Sequence, residues 1–240
     1  MTREAWRDGA EFLRRDLEGA VGGRLRALLA YEAPGPRDAA PETAADPGAQ
    51  AVRHEDLRHT LAVIDDFSPA DLLRLADLAP TWRSRRLVVP LLFSPAELAR
   101  SLDAFPLEFA QILAGHVLLA GTDPFAGLAV KRDDLRRACE AQAKSHLLHL
   151  REGYLEAGGD RRRVAELVAA SAAPLRALLA NIARLHGEAA GSTEELLRLV
   201  GERAAVPAAT FRIVLEARPG APSLGLADVF PSHLDAVERL

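Results

Sequence analysis

A pattern of apolar residues, serine and proline occurs twice in this chain and constrains its fold more than any other feature. Residues 60–67 precede Ser68 and Pro69, and residues 87–93 precede Ser94 and Pro95. Serine is a typical N-cap, and proline suits the first turn of a helix. In both copies an acid follows the serine by three residues and completes a capping box: Asp71 and Glu97. Each copy therefore predicts a strand, a tight turn and a helix.

The two copies predict neighbouring parallel strands, because a helix over residues 69–78 is long enough to cross between them. Pro90 lies inside the second run and predicts an edge strand or a bulge. An all-helical fold is the alternative, and it requires both apolar runs to be buried helical segments. Residues 63–64 and 88–89 are β-branched, which argues against the all-helical fold.

The residues before the first copy predict a helix, a strand and a long connection. Apolar residues recur at helical spacing over residues 3–20, and Gly22 and Gly23 end that helix. Residues 25–31 predict a strand. Residues 32–53 are rich in proline, glycine and alanine with few apolar anchors, which predicts a mobile loop.

The rest of the chain predicts helices. The apolar pattern gives one helical segment over residues 105–118, and residues 121–124 close it. Longer helices follow over residues 132–157 and 161–186, the second with a kink at Pro174, and shorter ones over residues 208–217 and 226–240. A capping box at residues 192–195 opens another helix. The prediction is a mixed α+β fold: an α/β domain over residues 1–120 and a helical bundle over residues 121–240.

Composition limits the classes of function. A net charge of −4, with 49% hydrophobic and 27% charged residues, is typical of a soluble globular protein. It argues against nucleic acid and membrane surfaces as partners. A single cysteine, Cys139, excludes an intramolecular disulfide and predicts a core residue. With no signal peptide or membrane span in the pattern, the expected compartment is the cytoplasm.

Few side chains form a pattern that indicates chemistry. His146 and His149 lie three apart on one helix, but without an HExxH pattern a polar helix face is the better interpretation. The candidate binding residues are acids: Asp65, Asp103 and Glu108. Asp65 ends a strand, where ligands of α/β proteins often bind, although turn formation explains it better. The other two bracket a proline at a helix start, where carboxylates are favourable without any ligand.

Five stretches follow one another in a recognisable order: residues 61–67 with their Ser-Pro helix, then residues 90–98, 103–109, 121–124 and 135–151. In this order they resemble bacterial proteins of the nucleotidyltransferase superfamily. The resemblance covers less than half of the chain closely. It implies a small mixed sheet with helices, followed by a helical bundle that often helps to bind substrate.

The same resemblance implies a chemistry that this chain lacks the residues to perform. The family's first strand ends in a Gly-Ser turn for the triphosphate, and an Asp-x-Asp pair opening the second strand holds two Mg²⁺ ions with a further acid. Here Glu32 and Ala33 stand at the turn, and residues 57–60 read Leu-Arg-His-Thr. Both signatures are absent.

The sequence therefore predicts a nucleotidyltransferase-like protein that has lost catalysis and binds a nucleotide or a protein partner, without a cofactor. One alternative is an active transferase in which Mg²⁺ is held by Asp65, Asp103 and Glu108. The other is an interaction module that works through its helical half. Neither the substrate nor the oligomeric state follows from the residues.

Overall fold

A computed structural model describes residues 3–32, 58–85, 87–188, 192–204, 208–218, 220 and 222–240. The predicted mobile loop begins at Glu32, which ends a strand, and its other residues lie outside the described ranges. The chain divides into two compact units between Lys131 and Arg132. We call them the α/β unit and the helical unit. The sequence-based boundary at residue 120 stays a prediction about domain organisation.

The α/β unit contains five described helices and four described strands. In chain order they are α1 (Arg3–Val21), β1 (Leu25–Glu32), β2 (Arg58–Ile64), α2 (Pro69–Ala76), α3 (Ala79–Ser84), β3 (Leu91–Phe93), α4 (Pro95–Ser101), α5 (Pro106–Gly115) and β4 (His116–Gly121), with a 3-10 turn over Gly22–Arg24 after α1.

The sheet is mixed and has the order β3-β2-β1-β4. Strand β2 runs parallel to β3, and β1 runs antiparallel to both β2 and β4. The two repeat copies are thus parallel neighbours, and β3 lies at an edge as Pro90 predicts. Together with the helices that follow, this sheet confirms the predicted mixed fold.

Helices cover both faces of the sheet because successive strand residues point to opposite sides. On one face Leu28 and Ile64 pack with Leu17 of α1 and Trp82 of α3. The indole nitrogen of that buried tryptophan donates a hydrogen bond of 2.7 Å to Asp16. On the other face residues of β1 and β2 pack with α4, α5 and the segment after β4: Leu29, Leu61, Leu98, Phe109 and Phe125.

All three predicted capping boxes form, the third between Ser192 and Glu195. The Ser68 hydroxyl accepts a hydrogen bond from the Asp71 backbone, and the Asp71 carboxylate accepts one from the Ser68 backbone. Ser94 and Glu97 repeat this exchange at the start of α4. The serine and the acid thereby satisfy backbone groups that a helix N-terminus leaves without partners.

The predicted helix over residues 105–118 is wrong in its last part. Helix α5 ends at Gly115, and residues from His116 onward form β4. The physical reason is tertiary: β1 offers an open edge, and β4 pairs with it from Tyr31↔His116 to Ala27↔Gly121. A short apolar run has no periodicity that distinguishes a buried helix from a strand.

The helical unit contains six described helices. They are α6 (Arg132–Ala157), α7 (Arg161–Ala170), α8 (Ala172–Leu185), α9 (Thr193–Ala204), α10 (Ala208–Leu215) and α11 (Leu226–Glu238). Buried apolar side chains from all six form one core, including Leu150, Val168, Leu175, Leu199, Phe211 and Phe230.

The predicted helix over residues 161–186 is interrupted at Ser171. Pro174 lacks the N–H that would bond to Ala170, so the helix breaks at that point. Helices α7 and α8 together span Arg161–Leu185. By length and composition, this is the one described helical segment that could cross a membrane. Half of its apolar window is buried inside the structure, which is typical of a core helix.

Candidate functional site

The end of β1 and the start of β2, where the resemblance places the family's chemistry, carry a row of aromatic side chains. Tyr31 pairs directly with His59 on β2 and with His116 on β4. Directly opposed residues of neighbouring strands point to the same face of a sheet. We call these three residues the His-Tyr-His row.

The row is packed and positioned by its neighbours. Tyr31 is 3% exposed, and its ring centroid lies 5.8 Å from that of His59. His116 places Nδ1 3.0 Å from the carbonyl oxygen of Ile112 and Nε2 3.4 Å from a carboxylate oxygen of Asp123. Because a carbonyl oxygen only accepts, Nδ1 of His116 carries the hydrogen. The pair with Asp123 is ionic when the imidazole is protonated.

The row contains two imidazoles, on strands that β1 separates. Throughout the residues that the structure describes, no group of three or more histidine, cysteine or acidic side chains is placed to hold a metal ion.

Asp65, the first candidate acid, lies in the turn that follows β2. Its backbone N–H donates a hydrogen bond of 2.8 Å to the carbonyl of Arg24, and its carboxylate forms an ion pair with Arg26. Asp66 completes the turn with a positive φ of 47°. Asp65 thus takes part in a turn and an ion pair, at the end of the strand pair opposite to the His-Tyr-His row.

A buried carboxylate lies close to the same turn. Asp71 is fully buried and accepts hydrogen bonds from Arg24, Arg74 and Ser68. These partners, and the two arginines most strongly, hold the pKa of the Asp71 carboxyl far below its usual range. The sequence identifies Asp71 only as a capping acid, and no local pattern identifies Arg24 as its partner.

The other two candidate acids lie elsewhere in the α/β unit. Asp103 is exposed in the turn between α4 and α5, and Glu108 is exposed in the first turn of α5. Neither belongs to a group that could hold a metal with Asp65. A binding role for these three acids stays a prediction.

The helical unit places its candidate residues in two different environments. His146 faces His233 of α11, with ring centroids 6.1 Å apart, whereas His149 is exposed beside Ser145. Cys139 is buried, and burial raises the pKa of its thiol to about 11. This thiol is a core group and a poor nucleophile at neutral pH.

His233 is a buried titratable residue that the sequence did not identify as a candidate. It is fully buried, its Nε2 lies 3.1 Å from the Ser171 hydroxyl, and its Nδ1 has no hydrogen-bond partner among the residues that the structure describes. Burial and the nearby His146 lower its pKa to about 4. The sequence pattern that could have identified His233 is the apolar stripe of α11, where it follows Leu226 and Phe230 at helical spacing.

No protein-family model matches this sequence, and a comparison with curated proteins finds no significant match.

Proposed function

We propose that this protein is nucleotidyltransferase-like and binds a nucleotide without transferring it. The observation that carries the proposal is the His-Tyr-His row. It lies where β1 ends and β2 begins, and the family's metal-binding acid pair would open β2 at that place.

The charges of the α/β unit support a non-catalytic role. Asp65 and Asp71, two of the acids that follow β2, are paired with Arg26 and Arg24, respectively. A carboxylate with a bound guanidinium has little negative charge to offer a divalent ion. Mg²⁺ is therefore not part of the proposed binding.

The side chains of the row suit a nucleobase better than a Mg²⁺-triphosphate. Histidine and tyrosine rings offer faces for stacking, and imidazole nitrogens form hydrogen bonds to base edges. His59 is only partly buried and is the member that a base would contact first. Its neighbour Tyr31 keeps it in place from the adjacent strand.

A reducing compartment, the cytoplasm, is part of the proposal. It rests on the single buried Cys139, which leaves no disulfide to maintain.

A protein partner is the second candidate function, and an edge strand favours it. Within the described ranges β4 pairs with β1 alone, and Val117 and Leu118 are 50% and 41% exposed. An exposed apolar edge strand is a common site for pairing with another extended chain.

Isothermal titration calorimetry with ATP, GTP, CTP and UTP tests the first proposal. We expect saturable binding of at least one nucleotide with the same Kd in Mg²⁺ and in EDTA, and at least tenfold weaker binding by His59→Ala. The control is His149→Ala, an exposed histidine of the helical unit, which should bind like the wild type. Equal binding by wild type and His59→Ala contradicts a site at the row. Binding of no nucleotide leaves the protein-partner function as the better account.

A further inference from the structure

A polar cluster lies between α6 and α8 in the helical unit. Asn181 is 7% exposed, and its amide nitrogen donates a hydrogen bond of 2.9 Å to the side-chain oxygen of Gln142. Its amide oxygen accepts one of 2.9 Å from Nη1 of Arg184. These two bonds fix the orientation of the Asn181 amide, which in turn holds one N–H group of the guanidinium.

The charge of Arg184 lacks a counter-charge within the described ranges. The half-buried guanidinium forms an ion pair with none of the carboxylates in the described part of the chain. Burial lowers the pKa of Arg184, and a Cys139 thiolate would act in the opposite direction. The other described arginines with a shifted pKa, such as Arg161 and Arg198, have a carboxylate that raises it.

A half-buried charge without a partner loses part of its hydration, and a guanidinium has five N–H donors in a planar fork. One of these donors is used by Asn181. The remaining donors match the paired oxygens of a phosphate or a carboxylate. We propose that Arg184, oriented by Asn181 and Gln142, binds a small oxyanion such as inorganic phosphate in the helical unit.

This site is independent of nucleotide binding at the sheet, because all of its residues belong to the helical unit. The proposed ligand is an oxyanion that presents two oxygens to the guanidinium. Phosphate esters and carboxylates both have this feature. Titrations with inorganic phosphate and with acetate distinguish the two sources.

The test is the melting temperature of the full chain, measured with increasing phosphate at constant ionic strength. We expect a saturable rise for the wild type, and a Kd at least tenfold weaker for Arg184→Gln. The matched control is Arg162→Gln, which changes an arginine side chain that is 77% exposed in the same unit. It should respond to phosphate like the wild type.

A second variant keeps the test informative if Arg184→Gln does not fold. Asn181→Asp is nearly isosteric and places a carboxylate beside Arg184, so the protein supplies its own anion and phosphate binding should be lost. The proposal is overturned if the wild type shows no saturable response to phosphate or acetate. It is equally overturned if Arg184→Gln and Asn181→Asp respond like the wild type.

Discussion

Asp71 and Glu97 occupy the same position in two copies of one local motif, but their surroundings differ. Asp71 is fully buried and binds two arginines in addition to Ser68, whereas Glu97 is exposed beside Ser94. Removing one member of a buried ion pair leaves the others without compensation, and an exposed capping acid has no such effect. The same sequence motif therefore contributes different amounts of stability at its two positions.

We predict that Asp71→Asn lowers the melting temperature of the α/β unit at least about twice as much as Glu97→Gln. Tryptophan fluorescence is the readout, because Trp6 and Trp82, the two tryptophans of the chain, both belong to this unit. Equal shifts for the two variants would show that the arginines around Asp71 add nothing to the capping box.

His233 makes the stability of the helical unit depend on pH. Its pKa is about 4 in the folded protein and 6.5 for the free side chain, so the unfolded chain binds the proton first as the pH falls. The groups that face it are His146 of α6, Ser171 after α7 and Phe211 of α10. None of them is an acid that would stabilise the imidazolium.

We expect the free energy of unfolding to be unaffected by His233 above pH 6.5 and to decrease as the pH falls toward 4. The total loss is roughly 3 kcal/mol, at about 1.4 kcal/mol per pKa unit. Urea denaturation followed by circular dichroism measures it. His233→Gln should remove most of this dependence, and the exposed His149→Gln should retain it. An unchanged pH dependence in His233→Gln would contradict the assignment.

The local elements were predictable because their signals are local. Serine, proline and the acid three residues later act within one helical turn, and both helices begin where this motif predicts. Strand β4 was not predictable, because its state depends on pairing with β1, which precedes it by more than 80 residues. The environment of Asp65 was not predictable either, since Arg26 reaches it only across a strand pair.

Two glycines with the same φ test how β4 ends. Gly121 and Gly127 both have a φ of 79°, but a Cβ atom on Gly121 would lie 1.9 Å from the carbonyl oxygen of Arg26. A Cβ atom on Gly127 would meet nothing within 4 Å. The first glycine is therefore required by close packing as well as by its backbone conformation.

We predict that Gly121→Ala destabilises the α/β unit by roughly 3 kcal/mol or more, from overpacking added to the left-handed conformation. Gly127→Ala should cost only about 1 kcal/mol, the conformational part alone. Urea denaturation with tryptophan fluorescence compares the two. Similar losses would mean that β4 moves away from β1 without cost.

At the scale of the whole chain, the described residues form a four-stranded mixed sheet with its helices, followed by a unit of six helices. The parallel pair of β2 and β3 and most of the helices were predictable from the spacing of apolar residues and caps. The arrangement of the candidate site was less predictable, because the His-Tyr-His row joins three strands and no local pattern determines their register. His233 and Arg184 likewise acquire their properties from helices distant in the sequence.

Pyrophosphate release tests the central claim, a nucleotide-binding protein without transfer activity, most directly. The purified full chain is incubated with each of the four nucleoside triphosphates, Mg²⁺ and candidate acceptors, while calorimetry under the same conditions measures binding. We expect nucleotide binding that is insensitive to Mg²⁺, with no pyrophosphate above a protein-free control. Mg²⁺-dependent binding with pyrophosphate release that Asp65→Asn, Asp103→Asn or Glu108→Gln abolishes would contradict it and establish an active transferase.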